Sequence, residues 1–165
     1  MNHGVKRYCL DSNVLIEAWR KYYNPAFCPQ YWEVLNEMGK RGTIFIPKAV
    51  FEEITRTEDD LAAWLKASQI AVAEVDEEVT LHMRDILKDY PQLVDSTKQR
   101  SLADPWVIAH ALKEGAAVVT KEEKPTATNS KKVKIPQVCE AFGVDWMNDF
   151  AMIHALGMQF GCTLG

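Results

Sequence analysis

An α/β fold with a mainly parallel sheet is predicted by two observations. Short β-branched apolar runs alternate with helix-periodic segments along the chain, and Pro, Gly or acidic residues punctuate the boundaries between them. At 165 residues, 47% hydrophobic and 25% charged, the chain suits one domain (1–165) with a substantial core.

The elements follow in order. Arg7 to Leu10 is expected as the first strand. Ser12 to Lys21 has Val14, Leu15, Ala18 and Trp19 on one helical face, with Ser12 placed to start that helix. Pro29 to Lys40 carries Tyr31, Trp32, Leu35, Met38 and Gly39 at helical spacing and leads into "TIFIP", a second strand closed by proline. "KAVFEEITR" puts Val50, Phe51 and Ile54 on one face of a helix with Glu53 beside it, and another helix covers Asp59 to Ala67. "IAVAEV" suits an extended connection, and "DEEVTLHMRDILKDY" a helix ended by Pro91. Asp104-Pro105 signals a helix start with Asp104 as the cap, Gly115 its end, and "AAVVT" a third strand. A lysine-rich loop runs from Lys121 to Lys134. A short helix from Pro136 and a final strand at "VDWM" follow, and the run from Phe150 to Gly165, uncharged except for a possible His154 proton, suits a docked helix or a subunit contact.

Composition excludes several function classes. The net charge of −4 and pI near 5.6 do not suit a generally cationic nucleic-acid coat, although a local basic patch remains compatible. Cys9, Cys28, Cys139 and Cys162 form neither a C-x-x-C pair nor a zinc spacing, so reduced thiols are expected, with Cys9 and Cys139 buried. No run of about 18 apolar residues is present. With Asp11 interrupting the N-terminal apolar stretch early, a soluble cytoplasmic protein without membrane association is expected.

Four acids fall at related places. Ligands of parallel α/β sheets bind outside the carboxyl ends of the strands. Asp11 follows the first strand, Glu53 lies under two helical turns after the second, Asp104 opens the helix before the third, and Glu122 lies just beyond it. Carboxylates gathered so closely either raise one another's pKa or recruit a hard divalent cation such as Mg²⁺ or Mn²⁺. Each acid also has a local explanation: Asp11 and Asp104 as helix caps, Glu53 as part of a solvated face beside Arg56, Glu122 as a loop acid among lysines. Their joint placement favours one site. His82, His110 and His154 have no paired ligand spacing, and the five tryptophans suit the core.

The motifs "YCLDSNVLIE", "IPKAVFEEI", "SLADPWVIAHAL" and "AAVVTKE", in this order and over nearly the whole chain, resemble those of the PIN-domain family of metal-dependent nucleases. An uncharacterised bacterial branch of that family, with "VVT" followed by "KVKIPQVCEAFGV", is the nearest likeness. The resemblance implies a three-layer α/β/α fold around four to five mainly parallel strands. It also implies a metal-dependent endoribonuclease, the toxin of a pair of the virulence-associated protein C type, with an antitoxin partner and Mg²⁺ or Mn²⁺ as cofactor. Asp11, Glu53 and Asp104 fall on the family's acidic positions, and Ser12 or Asn13, with Thr120, on polar supporting positions. The fourth motif departs: the family's aspartate two residues after the threonine is Glu122 here, so the acid reaches the metal through water, Glu123 substitutes, or one ion alone is held tightly. Lys121, Lys124, Lys131 and Lys132 directly follow this motif and are candidate phosphate contacts. Two rivals are a degenerate PIN-like module that binds RNA or protein without cutting and a haloacid-dehalogenase-like phosphatase. The phosphatase needs a second aspartate where Asn13 stands. A homodimer through the uncharged C-terminal run is also expected.

Overall fold

The computed structural model describes residues 6–94, 102–126 and 133–165. Five strands form its sheet: β1 Tyr8–Leu10, β2 Ile44–Pro47, β3 Ala71–Ala73, β4 Ala117–Val119 and β5 Trp146–Met147. Their order is β3-β2-β1-β4-β5, and every neighbouring pair is parallel. "IAVAEV", expected as a connection, supplies edge strand β3, whose brevity and exposed Ala71 leave no apolar run to announce it.

The helices are α1 Ser12–Glu17, α2 Pro29–Lys40, α3 Lys48–Thr55, α4 Asp60–Ala67, α5 Glu77–Asp89, α6 Asp104–Glu114, α7 Ile135–Ala141 and α8 Asp149–Ala155. Parallel crossovers are right-handed. Connections that step from β1 toward β3 therefore place α1 to α4 on one face, and those that step back toward β5 place α5 to α7 on the other. This three-layer α/β/α arrangement is PIN-like. The strands are buried on both faces as such layering requires, with Leu10, Ile44, Phe45, Ile46, Val118 and Val119 at 1% exposure or less.

Local chemistry sets the helix ends. Asp59 and Asp76 cap α4 and α5 by accepting from the Ala62 and Val79 N–H groups at 2.9 Å. Gly115 ends α6 in the left-handed region at φ 61°. The helix expected to run to Lys21 switches after Glu17 to a π-helical turn, Ala18–Tyr22, closed by Tyr23 N–H donating to the Ala18 carbonyl at 2.8 Å. The helix expected from Pro136 begins one residue earlier, at Ile135, leaving proline within the first turn where its missing N–H is harmless. In the C-terminal run, Met152 of α8 is fully buried, and Phe160 lies near Tyr23 and Tyr31, 5.8 and 6.2 Å between ring centroids.

Gly39 of α2 is a close-approach glycine. A Cβ there would stand 2.7 Å from Ile70 Cα and 2.9 Å from Ile70 N, backbone atoms that lead directly into β3. Gly39→Ala therefore destabilises despite alanine's better helix propensity. Overpacking of this kind costs about 1–3 kcal/mol, which a thermal melt reads as a drop of about 2–4 °C in Tm per kcal/mol.

Candidate functional site

The register of β1 and β4 builds the centre of the site. Leu10 pairs with Val119, so the next residues, Asp11 and Thr120, leave the same edge of the sheet side by side. Asp11 continues the ladder by donating its N–H to the Val119 carbonyl at 2.9 Å. Its carboxylate is 2% exposed. Oδ1 accepts the Ser12 N–H at 2.8 Å, and Oδ2 accepts the Thr120 hydroxyl at 2.9 Å. Asp11 itself, in extended backbone geometry, caps α1. Ser12, expected as the cap, is the first helical residue, because the acid at the strand end already occupies the capping position.

Thr120 Oγ1 donates to Asp11 and accepts the Glu122 N–H at 3.1 Å. Asn13 Nδ2 stands 3.5 Å from the same hydroxyl, and Asn13 Oδ1 accepts the Lys121 N–H at 3.0 Å. Asn13 thus ties α1 to the chain leaving β4, a task that needs an amide's donor and acceptor together. Glu122 Oε2 accepts the Ile135 N–H at 2.8 Å, at the start of α7. Glu123 is exposed. Asp104 does not cap α6 as expected: Ala103 holds the cap position without a side-chain bond, and Asp104 is the first helical residue, before Pro105. Its carboxyl is left to the site.

The electrostatics link acids from four separate segments. The Asp11 carboxyl rises from its ordinary 3.8 to about 7; burial raises it most, the Thr120 hydroxyl opposes, and Glu122 and Glu53 raise it further. Asp104 rises to about 9, through burial first and then through Asp11, Glu122 and Glu53. Glu53 thus joins the cluster from α3, half-buried. Burial, followed by the charges of Asp11 and Glu122, also pushes the Cys139 thiol up to about 12. Cys9 is likewise raised by burial and Asp11, so both thiols are inert packing groups. Among the described residues no three acidic, imidazole or thiol groups stand preassembled around one point. The cluster nevertheless fits a hard divalent cation by donor chemistry: its groups are carboxylates, two of which keep protons well above their ordinary range.

The lysines divide. Lys121, expected among the phosphate contacts, turns its ammonium inward to Asp149 Oδ1 at 2.9 Å. Lys124 is exposed and pairs with Glu140 at 2.7 Å. Lys131 and Lys132 lie outside the described residues. Asp149, fully buried at the start of α8, is the residue that sequence reasoning missed. A helix-start pair, Asn148-Asp149, was the available signal, and it pointed to capping, which Asn148 performs by accepting the Ala151 N–H at 2.9 Å.

A pH dependence follows from the two raised carboxyls. Between 3.8 and their native values the folded protein holds protons that the unfolded chain has released. Their contribution is therefore complete at acid pH and is lost as pH climbs through about 7 and about 9. In chelator, Asp104→Asn flattens the fall in Tm between about pH 5 and about pH 9 relative to the parent chain. An unchanged slope in parallel melts would contradict the assignment.

No curated protein matches the sequence. Solved structures do match in fold. VapBC2 from Rickettsia felis, bound to a DNA fragment from its promoter, aligns with a TM-score of 0.57 at 17% identity, covering 86% of this chain and 97% of that one. VapBC-1 from nontypeable Haemophilus influenzae gives 0.53 at 17%, covering 86% and 96%. DNA-bound VapBC from Salmonella typhimurium gives 0.53 at 17%, covering 87% and 98%. These likenesses agree with the PIN-like α/β/α layering. The family model described as "Domain of unknown function (DUF4411)" matches residues 8–160, and the chain belongs to that family.

Proposed function

We propose that the chain is a divalent-metal-dependent endoribonuclease that hydrolyses RNA phosphodiester bonds and serves as the toxin of a toxin–antitoxin pair. One observation carries the reading: Asp11, buried and held by the Thr120 hydroxyl at the end of the central strand pair, shares its surroundings with Asp104, Glu122 and Glu53, so that four segments each contribute an acid. Carboxylates gathered from separate segments and withheld from solvent are the arrangement that recruits a cation.

Asp11, Glu53, Asp104 and Glu122 would hold Mg²⁺ or Mn²⁺. When bound, such an ion supplies Lewis acidity, offsetting charge on the phosphoryl oxygens and activating the attacking water. The chain's own groups prepare for this. Ser12 N–H and the Thr120 hydroxyl orient the two Asp11 oxygens, and Ile135 N–H fixes one Glu122 oxygen while the other is left to the cluster. Glu122, not the exposed Glu123, is accordingly the fourth acid proposed. Asp104 would hold such an ion as a carboxylate, its proton released to solvent.

Lys124, Lys131 and Lys132 are proposed to meet the RNA backbone. The Lys124–Glu140 pair is solvent-exposed, and such pairs are worth at most about 1 kcal/mol, so phosphate can replace the glutamate. An antitoxin partner is supported by the VapBC assemblies that share the fold, and a basic side chain aimed at the carboxylates is the chemistry expected of it. Among the described residues no helix is long and apolar enough to cross a membrane. Action in the cytoplasm, where such RNA resides, and a dimer through the 150–165 run belong to the same proposal.

Mn²⁺ or Mg²⁺ should support cleavage of RNA by the parent chain, and Asp11→Asn should abolish it. A hundredfold excess of metal over Kd stabilises by about 2.7 kcal/mol, or roughly 5–10 °C in Tm. Asp11→Asn should melt higher than the parent in chelator, because one repelling charge is gone, and should gain little from metal. Absence of both metal-dependent cleavage and a metal-induced shift would leave a binding module without catalysis. Hydrolysis of a small phosphate ester in place of RNA would favour the phosphatase.

A further inference from the structure

Between Thr120, which orients Asp11, and Glu122 stands a lysine turned away from the cluster. Lys121 Nζ lies 2.9 Å from Asp149 Oδ1 and sits over the Tyr22 and Phe150 rings, 4.4 and 4.3 Å from their centroids. The Lys121 side chain is 12% exposed and that of Asp149 not at all. Asp149 Oδ2 has no hydrogen-bond partner among the described residues, so the ammonium carries the burden of compensating the buried charge. Asn13 Oδ1 meanwhile holds the Lys121 backbone N–H at 3.0 Å. Residue 121 is thus pinned on one side to α1 and on the other to α8.

Glu122 needs such an anchor. Its charge raises both Asp11 and Asp104, so the cluster repels it, and the chain that follows it through Pro125 is neither helix nor strand. We infer that Lys121 and Asp149 are positioning residues: their buried ion pair locks the chain leaving β4 to α8, so that Glu122 stays in the carboxylate cluster and completes the metal site. The inference rests on the proposed metal-dependent reading. Asp149 also neutralises the ammonium in place, which keeps Lys121 from serving as an internal substitute for the divalent ion.

The test is calorimetric titration of the metal-free chain with Mn²⁺, beside a thermal melt. Replacing both partners by apolar groups, Lys121→Met with Asp149→Leu, leaves no uncompensated buried charge, so this variant should melt close to the parent. Its Mn²⁺ affinity should fall about tenfold or more, the usual effect of losing a group that orients a ligand. Lys121→Arg keeps the charge and the ring contacts and should bind nearly as the parent does. Should the double variant not fold, Asp149→Asn reads the same loss. Parent-like affinity in the double variant, or an equal loss in Lys121→Arg, would overturn the inference. Asp11→Asn separates the two levels: if it still binds Mn²⁺, the metal-site reading falls and the clamp with it. If it does not bind while the double variant does, the clamp alone falls.

Discussion

A threonine hydroxyl donated to an almost fully buried carboxylate is the interaction on which the site depends. Thr120 and Asp11 meet because β1 and β4 pair with Leu10 opposite Val119, and the side-chain alternation of strands leaves no latitude in that register. Slipping it by one residue would turn the hydroxyl away and expose Val119 in its place. From Thr120 the remaining contacts extend outward: Glu122 N–H and Asn13 Nδ2 face the same oxygen, and Asn13 fastens the next residue. The two central strands therefore determine the arrangement of three segments distant in sequence.

Four mutually repelling acids stay gathered because most of them lie at helix N-termini. Asp11 caps α1, Asp104 is the first residue of α6, and Glu122 accepts the first N–H of α7. Each is met by the positive end of a helix dipole, an effect of about 0.3–1 kcal/mol at exposed sites and more when partly buried. Glu53 is the exception, lying within α3. Burial works in the opposite direction, since withholding solvent from Asp11 and Asp104 strengthens every charge interaction among the carboxylates. Helix dipoles and the protons held by Asp11 and Asp104 offset part of the mutual repulsion.

Legibility in the sequence followed the reach of each signal. α2 was visible from Pro29 to Lys40 because its apolar spacing and end signals agree. β1, β2 and β4 were visible as apolar runs, whereas β3 was not, since three residues at a sheet edge carry little side-chain pattern. Chain order alone puts Asp11, Glu53 and Glu122 near one sheet edge and lets Asp104 join them only if its helix starts there. The cap assignments at Ser12 and Asp104 were each displaced by one residue, because propensity shows that a helix starts without showing which polar group is engaged elsewhere. The inward turn of Lys121 had no local signature. It is decided by Asp149, Tyr22 and Phe150, none of them within twenty residues of it, and lysine in a polar loop reads as solvated until the fold brings a buried carboxylate beneath it.

The glutamate at position 122 gains a physical rationale from the same geometry. An aspartate there is one methylene shorter and would have to choose between the α7 N-terminus and the carboxylate cluster. Glu122 reaches Ile135 N–H with one oxygen while its charge still acts on Asp11 and Asp104. The added methylene brings an additional rotatable bond, and with it side-chain entropy that a repelled group would readily exploit. Two features oppose that freedom: the tie to α7 at the tip of the side chain and the Lys121–Asp149 pair at its base. A longer acid anchored at both ends can stand where a shorter one held at the backbone alone would serve, which makes the lysine between Thr120 and Glu122 part of the same substitution and not an incidental loop charge.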